Sequence, residues 1–530
     1  MSGQTDSYDY VVVGAGTAGC AVSTRLSAQS DRSVLVLEAG EPDHDRSIHI
    51  PAEVGNLFKS SVDWEYYTEP QEEMHDRELY WPRGKTLGGS SAINAMIHIR
   101  GHPGDFDEWA EMGNDGWSYE ELLPYFKRSE NSRTHRTEYH GVGGPLNVTE
   151  LESPYHLSQV FVDAGLAAGY DRNYDFNGSE QAGVGFYQVT QKDGERHSAA
   201  DAYLKPALLE RSNLAARTGA QVTDLLFDGD RIVGVEYEDV DGRQTVEAEE
   251  EVILSAGAIN TPQLLLLSGI GPADHLRSHD IDVQVDLPGV GRNLQDHLLV
   301  AVNYSSTGAI TRDDTGTLDD VVEYHVQGSG RLSSNGGEAG GFVRSDPSLD
   351  RPDIQFHFGP GYFMRHGFEN PDEGQGFYIA ATQVRPESRG RIELTSDDPF
   401  DDPAIDPRYL TEREDVDTMV EGVRRAREVA RAEPFDEYRG EEVWPGGDVE
   451  SDEAIAEQVR EHAQTIYHPV GTCKMGDGET AVVDERLRVH GVSGLRVVDA
   501  SVMPRIVGGN TNAATLAIAE KAADLITEDE

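Results

Sequence analysis

Residues 8–19 read Tyr8-Asp9-Tyr10-Val11-Val12-Val13-Gly14-Ala15-Gly16-Thr17-Ala18-Gly19, an apolar run that empties into Gly-x-Gly-x-x-Gly. The run predicts a buried strand, and the glycines predict a turn into a helix. Gly14 makes the tight turn, Gly16 lets backbone approach a pyrophosphate, and Gly19 lets the helix pack closely on its strand. Free N–H groups at the helix start then face the phosphates. A second strand, Val34-Leu35-Val36-Leu37, ends on Glu38, placed to accept a bond from a ribose 2′-OH. A lone glycine fingerprint carries little weight. Strand, turn, helix, second strand and acidic end in this order predict a site for an adenine dinucleotide, NAD or FAD.

Working outward, 530 residues exceed one compact core, so at least two domains are expected. No apolar run reaches the roughly eighteen residues of a membrane span, and no signal-like segment precedes the first strand. These features predict a soluble, cytoplasmic protein. Against 44 basic residues stand 96 acidic ones, a formal charge of −52. That surface repels phosphate backbones and anionic lipid, which argues against nucleic-acid or membrane partners. Lysine is scarce and the acids run along the whole length, a pattern that resembles proteins of extreme halophiles. Molar salt screens such repulsion over about 3 Å, so a high-salt interior is expected. Two cysteines, Cys20 and Cys473, are too few for a disulfide framework. No histidine pair has ligand spacing, and no metal is expected.

The nucleotide fold is discontinuous. Val252-Ile253-Leu254-Ser255-Ala256-Gly257 reads as a buried strand ending in small residues, followed by a helix over Gln263 to Ser268. Leu495 to Asp499 reads as another strand, and Asn512 to Ile526 as a closing helix. Between them, short strands such as Ile354 to Phe358 and Arg391 to Leu394 alternate with prolines and acids, and Met419 to Ala432 forms an amphipathic helix with a Glu421–Arg425 pair. The expected architecture is α/β: a Rossmann-like FAD-binding domain from 1–150, 195–305 and 466–530, with an α+β substrate domain of antiparallel sheet and helices from 151–194 and 306–465.

Three further stretches bear on chemistry. Arg83 to Asn94 is a glycine-serine loop that brings backbone close to a flat or charged ligand. Tyr467-His468-Pro469-Val470-Gly471-Thr472-Cys473 holds an imidazole beside a proline, suited to a general base or to a structural turn. Asn510 and Thr511 precede the last helix, as caps or as groups facing an oxyanion-like ligand edge.

Taken together, Gly14–Gly19, Glu38, Gly84–Asn94, Ser255–Gly271, Tyr467–Gly476, Leu495–Pro504 and Gly508–Ile526 resemble the glucose–methanol–choline (GMC) oxidoreductases, from Tyr8 to Ile526. The resemblance implies FAD and the oxidation of an alcohol to an aldehyde by hydride transfer to flavin N5. It matches Gly14, Gly16, Gly19 and Glu38 to the ADP-binding residues, and Gly88, Ser91 and Asn94 to the loop beside the flavin. Val222 matches an adenine contact, and Asp499 a residue near the ribityl chain and pyrophosphate. His468 matches the catalytic histidine. Asn510 takes the position of its partner, with Thr511 beside it at the cofactor.

For the substrate, the motifs resemble choline dehydrogenases and choline oxidases. Glu338 falls where choline-oxidising members carry a glutamate facing the trimethylammonium group, and Trp64 and Tyr467 resemble aromatic positions around that cation. Asn335-Gly336-Gly337 replaces expected aromatics, which leaves sugars or other alcohols open. A hydroxynitrile-lyase-like FAD protein is the reading from another reaction class. Ile93 stands where choline oxidases carry a flavin-linking histidine, so FAD is expected to be non-covalent and a dehydrogenase is favoured over an oxidase. The electron acceptor is then a quinone-type carrier or oxygen.

Overall fold

The computed structural model describes residues 6–308, 311, 316–371 and 374–529. Val11–Val13 and Val34–Leu37 are apolar on both faces, which suits a parallel sheet covered on each side. They occupy the middle of a seven-stranded sheet in the order Leu214–Arg217, Val34–Leu37, Asp6–Val13, Gly242–Leu254, Arg231–Asp239 and Gln221–Asp228. Leu495–Val497 adds in parallel to Gly242–Leu254. The strand expected at Val252 is thus the end of a 13-residue one whose first half forms an antiparallel hairpin. Polar and apolar residues alternate over that first half, the pattern of a strand with one wet face. Helix Thr17–Leu26 packs against the closing helix Asn512–Asp529 through small residues and the Arg25–Glu520 pair.

A second sheet is antiparallel, in the order Arg439–Trp444, Leu298–Ser306, Gln375–Gln383, Ile354–Gly359, Ala339–Val343 and Gly183–Phe186. One face carries Phe356, Phe358, Phe377 and Ile379 into a core closed by helices His156–Ala167 and Arg413–Ala430. Helix Arg413–Ala430 starts earlier than its apolar period suggests, because Arg413 and Asp417 extend it on the solvent side; Glu421 and Arg425 pair at 2.8 Å. Leu298–Ser306 belongs to this second sheet, so the chain has crossed over before 305. Its leading apolar run reads the same on either side of that boundary. Among the described residues no helix is long and apolar enough to cross a membrane.

Candidate active site

A cavity of about 660 Å³ runs from the first glycine turn to the inner face of the second sheet. Its floor is backbone. Gly14 has φ +95°, and a Cβ there would lie 2.7 Å from the Ser255 carbonyl oxygen; one on Gly89 would lie 2.7 Å from Gly16 Cα. At Gly16 itself nothing stands nearer than 3.9 Å, so that glycine opens on the cavity it lines. Gly19 does not line it: its Cβ would strike the Gly14 carbonyl at 1.9 Å, so it is a packing glycine. This side-chain-free floor at a helix start fits a diphosphate.

Glu38 lines the same end. Its two oxygens accept N–H bonds from Ala15 (2.8 Å) and Gly40 (2.9 Å), which ties the glycine turn to the second strand. Burial pushes its carboxyl up to about 7, against the pull of those N–H bonds. One lone pair per oxygen is left for a ribose. Asp499 accepts from Gly257 N, Thr261 Oγ1 and Ser501 N at 2.6–2.8 Å. Val222, Thr511 and Asn94 also line the cavity, whereas Gly88 and Ser91 do not. The Ser91 hydroxyl donates to Gly88 O at 2.6 Å and accepts from Ala199 N, so it holds the loop from behind. Its neighbour Ser90 is the serine on the wall. Arg196, buried, braces the loop through Asn94 Oδ1 (2.9 Å), Ser91 O and Ile48 O. Nothing in the sequence near 196 signals that role, since the contacts span about a hundred residues.

His468 and Asn510 converge across 42 residues: Asn510 Nδ2 lies 3.3 Å from His468 Nε2. Asp296 accepts the His468 backbone N–H at 2.7 Å and the Thr465 hydroxyl at 2.6 Å, which fixes the turn before Pro469. On its far side His468 meets His297, Nδ1 to Nδ1 at 3.0 Å. Burial, then the neighbouring His297, His357 and Arg83, hold the His468 imidazole well below its ordinary value. Burial likewise lowers His297 to about 3. No local pattern marks this second histidine, whose partner lies 171 residues further along the chain.

The substrate residues fare less well. Glu338 is fully buried and off the cavity wall. Its carboxylate accepts from Ser158 Oγ (2.5 Å), Ser334 Oγ (2.7 Å) and Tyr155 N (2.8 Å), so the expectation that it faces a cation is corrected. Glu338 precedes the strand Ala339–Val343 and lies outside its alternation, turned toward the start of helix His156–Ala167, from which Ser158 and the adjoining Tyr155 donate. Trp64 lines the cavity but stacks on Tyr66, with Lys85 Nζ 4.1 Å from its ring centre. The cation it holds is the chain's own lysine. Tyr467 does line the cavity, at φ +72°, with its hydroxyl 2.7 Å from His366 Nδ1. His98 is buried away from the cavity, and both cysteines are buried.

A discontinuous nucleotide sheet, a roofing antiparallel sheet and a paired histidine and asparagine between them define a flavin-dependent oxidoreductase. The sequence matches GMC oxidoreductase models over residues 8–299 and 386–519, and the chain belongs to the GMC oxidoreductase family, with FAD as its cofactor. It is 45% identical to alcohol dehydrogenase [acceptor] of Pseudomonas putida, covering 98% of this chain and 95% of that one. It is 44% identical to mitochondrial choline dehydrogenase of Mus musculus, over 98% and 89%. Among solved structures, a variant of Aspergillus oryzae formate oxidase made to probe its FAD modification superposes with a TM-score of 0.93 at 29% identity, over 99% of each chain.

Proposed function

We propose that this chain oxidises a primary alcohol to its aldehyde, with His468 as general base and Asn510 orienting the oxygen. The carrying observation is the meeting of His468 Nε2 and the Asn510 amide on the cavity wall. When bound, FAD would supply the redox chemistry, as acceptor of the hydride from the carbinol carbon. Gly14, Gly16, Glu38, Asn94, Val222, Asp499 and Thr511 hold it from the wall, with Gly19, Gly88 and Ser91 shaping that wall from behind. Ile93, on the wall, supports a non-covalent flavin, and we favour a dehydrogenase passing electrons to a quinone-type carrier over oxygen.

The chain's own residues handle the proton and the fit. His468 is neutral, Nε2 is its ring nitrogen on the cavity side, and the hydroxyl proton passes to it. The imidazolium so formed keeps Nδ1 toward His297. The residues that hold the substrate are Leu299, Tyr362, Phe363, Tyr378 and Tyr467. Among the described residues the only carboxylates on the cavity wall are Glu38 and Asp499, both tied to nucleotide-sheet backbone. This favours an alcohol with an uncharged far end. Choline is the second reading, favoured by the aromatic faces. We also propose two domains, with the boundary expected at 305/306 moved back to Leu298, where the strand Leu298–Ser306 enters the antiparallel sheet.

The test is anaerobic addition of benzyl alcohol, a linear primary alcohol or choline to the yellow protein in molar KCl. Bleaching of the flavin supports oxidation. Aldehyde release with unbleached flavin points to a lyase, and no change with any alcohol overturns the proposal.

A further inference from the structure

On the strand Ile354–Gly359, Ile354, Phe356 and Phe358 enter the aromatic core, and Gln355 and His357 face the opposite way. Gln355 is fully buried and does not line the cavity. Its Nε2 lies 3.1 Å from Asn510 Oδ1 and 3.2 Å from the Tyr187 hydroxyl oxygen. The single hydroxyl proton of Tyr187 is donated to the Phe356 carbonyl at 2.5 Å. That oxygen can therefore only accept from Gln355, so the NH₂ end of Gln355 faces both Tyr187 and Asn510. Asn510 then accepts at Oδ1 and turns its own NH₂ toward His468 Nε2. Nε2 is an acceptor, the ring proton sits on Nδ1, and Nδ1–H donates to His297.

We propose that Gln355, held by Tyr187, is a positioning residue that sets the Asn510 amide and, through it, the tautomer of His468. This rests on His468 being the base. With the Asn510 amide reversed, Oδ1 would face Nε2 and draw the proton there, removing the lone pair the alcohol needs. The groups facing the ring are His297, His357 and Arg83, with Asp296 on its backbone N–H. A change at 355 leaves all four in place.

The test is Gln355→Met in the FAD-loaded enzyme, which keeps volume and removes the amide. The expected result is a kcat lower by about tenfold or more, and an acidic limb of kcat/KM raised by about one pH unit, since Oδ1 stabilises the Nε2–H form. A readout independent of turnover is the ¹⁵N spectrum of histidine-labelled protein, with His468 assigned by its loss in His468→Ala. Its signal should move from the Nδ1–H toward the Nε2–H tautomer. An unchanged limb and unchanged tautomer overturn the proposal, whatever happens to kcat. If Gln355→Met does not fold, Tyr187→Phe removes only the hydroxyl that orients Gln355, and it must move the same signal the same way. Wild-type turnover in His468→Ala would instead remove the base itself, and the tautomer signal of Gln355→Met would still report on Gln355.

Discussion

His297 and His468 meet Nδ1 to Nδ1 at 3.0 Å, both inside the protein, so one proton serves two facing nitrogens. Two imidazolium ions cannot share that contact, and burial already disfavours the first. A base works only above its own pKa, so lowering that value extends activity toward acid. The acidic limb of kcat/KM is therefore expected below the ordinary imidazole value of 6.5. A pH profile of the FAD-loaded enzyme checks this, and a limb at about pH 7 or higher would contradict it.

Removing the base separates chemistry from cofactor binding. His468 lies beyond the glycine floor proposed to hold the dinucleotide, so His468→Ala should keep its yellow colour. Its kcat should fall by about two to four decades. Turnover within about twofold of wild type would exclude His468 as base.

Gly16 and Gly19 share one motif but serve different ends, which a matched pair of substitutions can show. Gly16 has φ −74° and its Cβ would meet nothing closer than 3.9 Å, so alanine fits the chain and intrudes only on the cavity. Gly16→Ala should fold with near-normal thermal stability and purify with little FAD. In Gly19→Ala the new methyl would lie 1.9 Å from the Gly14 carbonyl, forcing helix and strand apart. That variant should lose both flavin and stability, by about 1–3 kcal/mol or more for overpacking. Equal melting temperatures for the two apoproteins would refute the distinction.

Local chemistry explains what could be read in advance. The first strand, its turn and Glu38 lie within about thirty residues and are dictated by short-range rules. The closing helix and the strand at Leu495 were also visible as apolar periods. Position 338 was not, because it lies just outside the strand and its donors Tyr155 and Ser158 come from a helix start about 180 residues away. His297, Gln355 and Arg196 acquire their roles only from partners far along the chain, which no local pattern records. The long hairpin strand Gly242–Leu254 was read only in its final, fully buried part, since its outer half carries one charged face.

Glu338 has three donors and no view of the cavity, so it is expected to matter for stability and not for substrate choice. Burial raises its carboxyl pKa, against the pull of the two serines and the Tyr155 N–H. Glu338→Gln should lower stability by about 1–3 kcal/mol through imperfect replacement of these bonds. The ratio of kcat/KM for choline to that for an uncharged alcohol should stay the same. A selective loss with choline would return Glu338 to the substrate.

A buried charge cluster behind the loop after Asn94 should shape stability against pH. Arg100 pairs with Glu130 at 2.7 Å, and His140 bridges Glu130 (3.0 Å) and Asp175 (2.9 Å). Burial opposes the charge on His140, but the bonds to Asp175 and Glu130 outweigh it and raise the ring from 6.5 to about 9. Burial likewise works against Glu130, yet His140 and Arg100 bring it from 4.5 down to about 2. The histidine's contribution is complete below pH 6.5 and is lost as pH rises through 9; the glutamate's is complete above 4.5 and is lost toward 2. Both are present together between 4.5 and 6.5. Denaturant midpoints at fixed KCl should therefore show the wild type losing about 1–3 kcal/mol between pH 6 and 9.5 that His140→Gln does not lose. The variant should be the less stable of the two at pH 6 and should approach the wild type at the alkaline end. Parallel pH curves for the two proteins would mean that the cluster carries no net proton linkage.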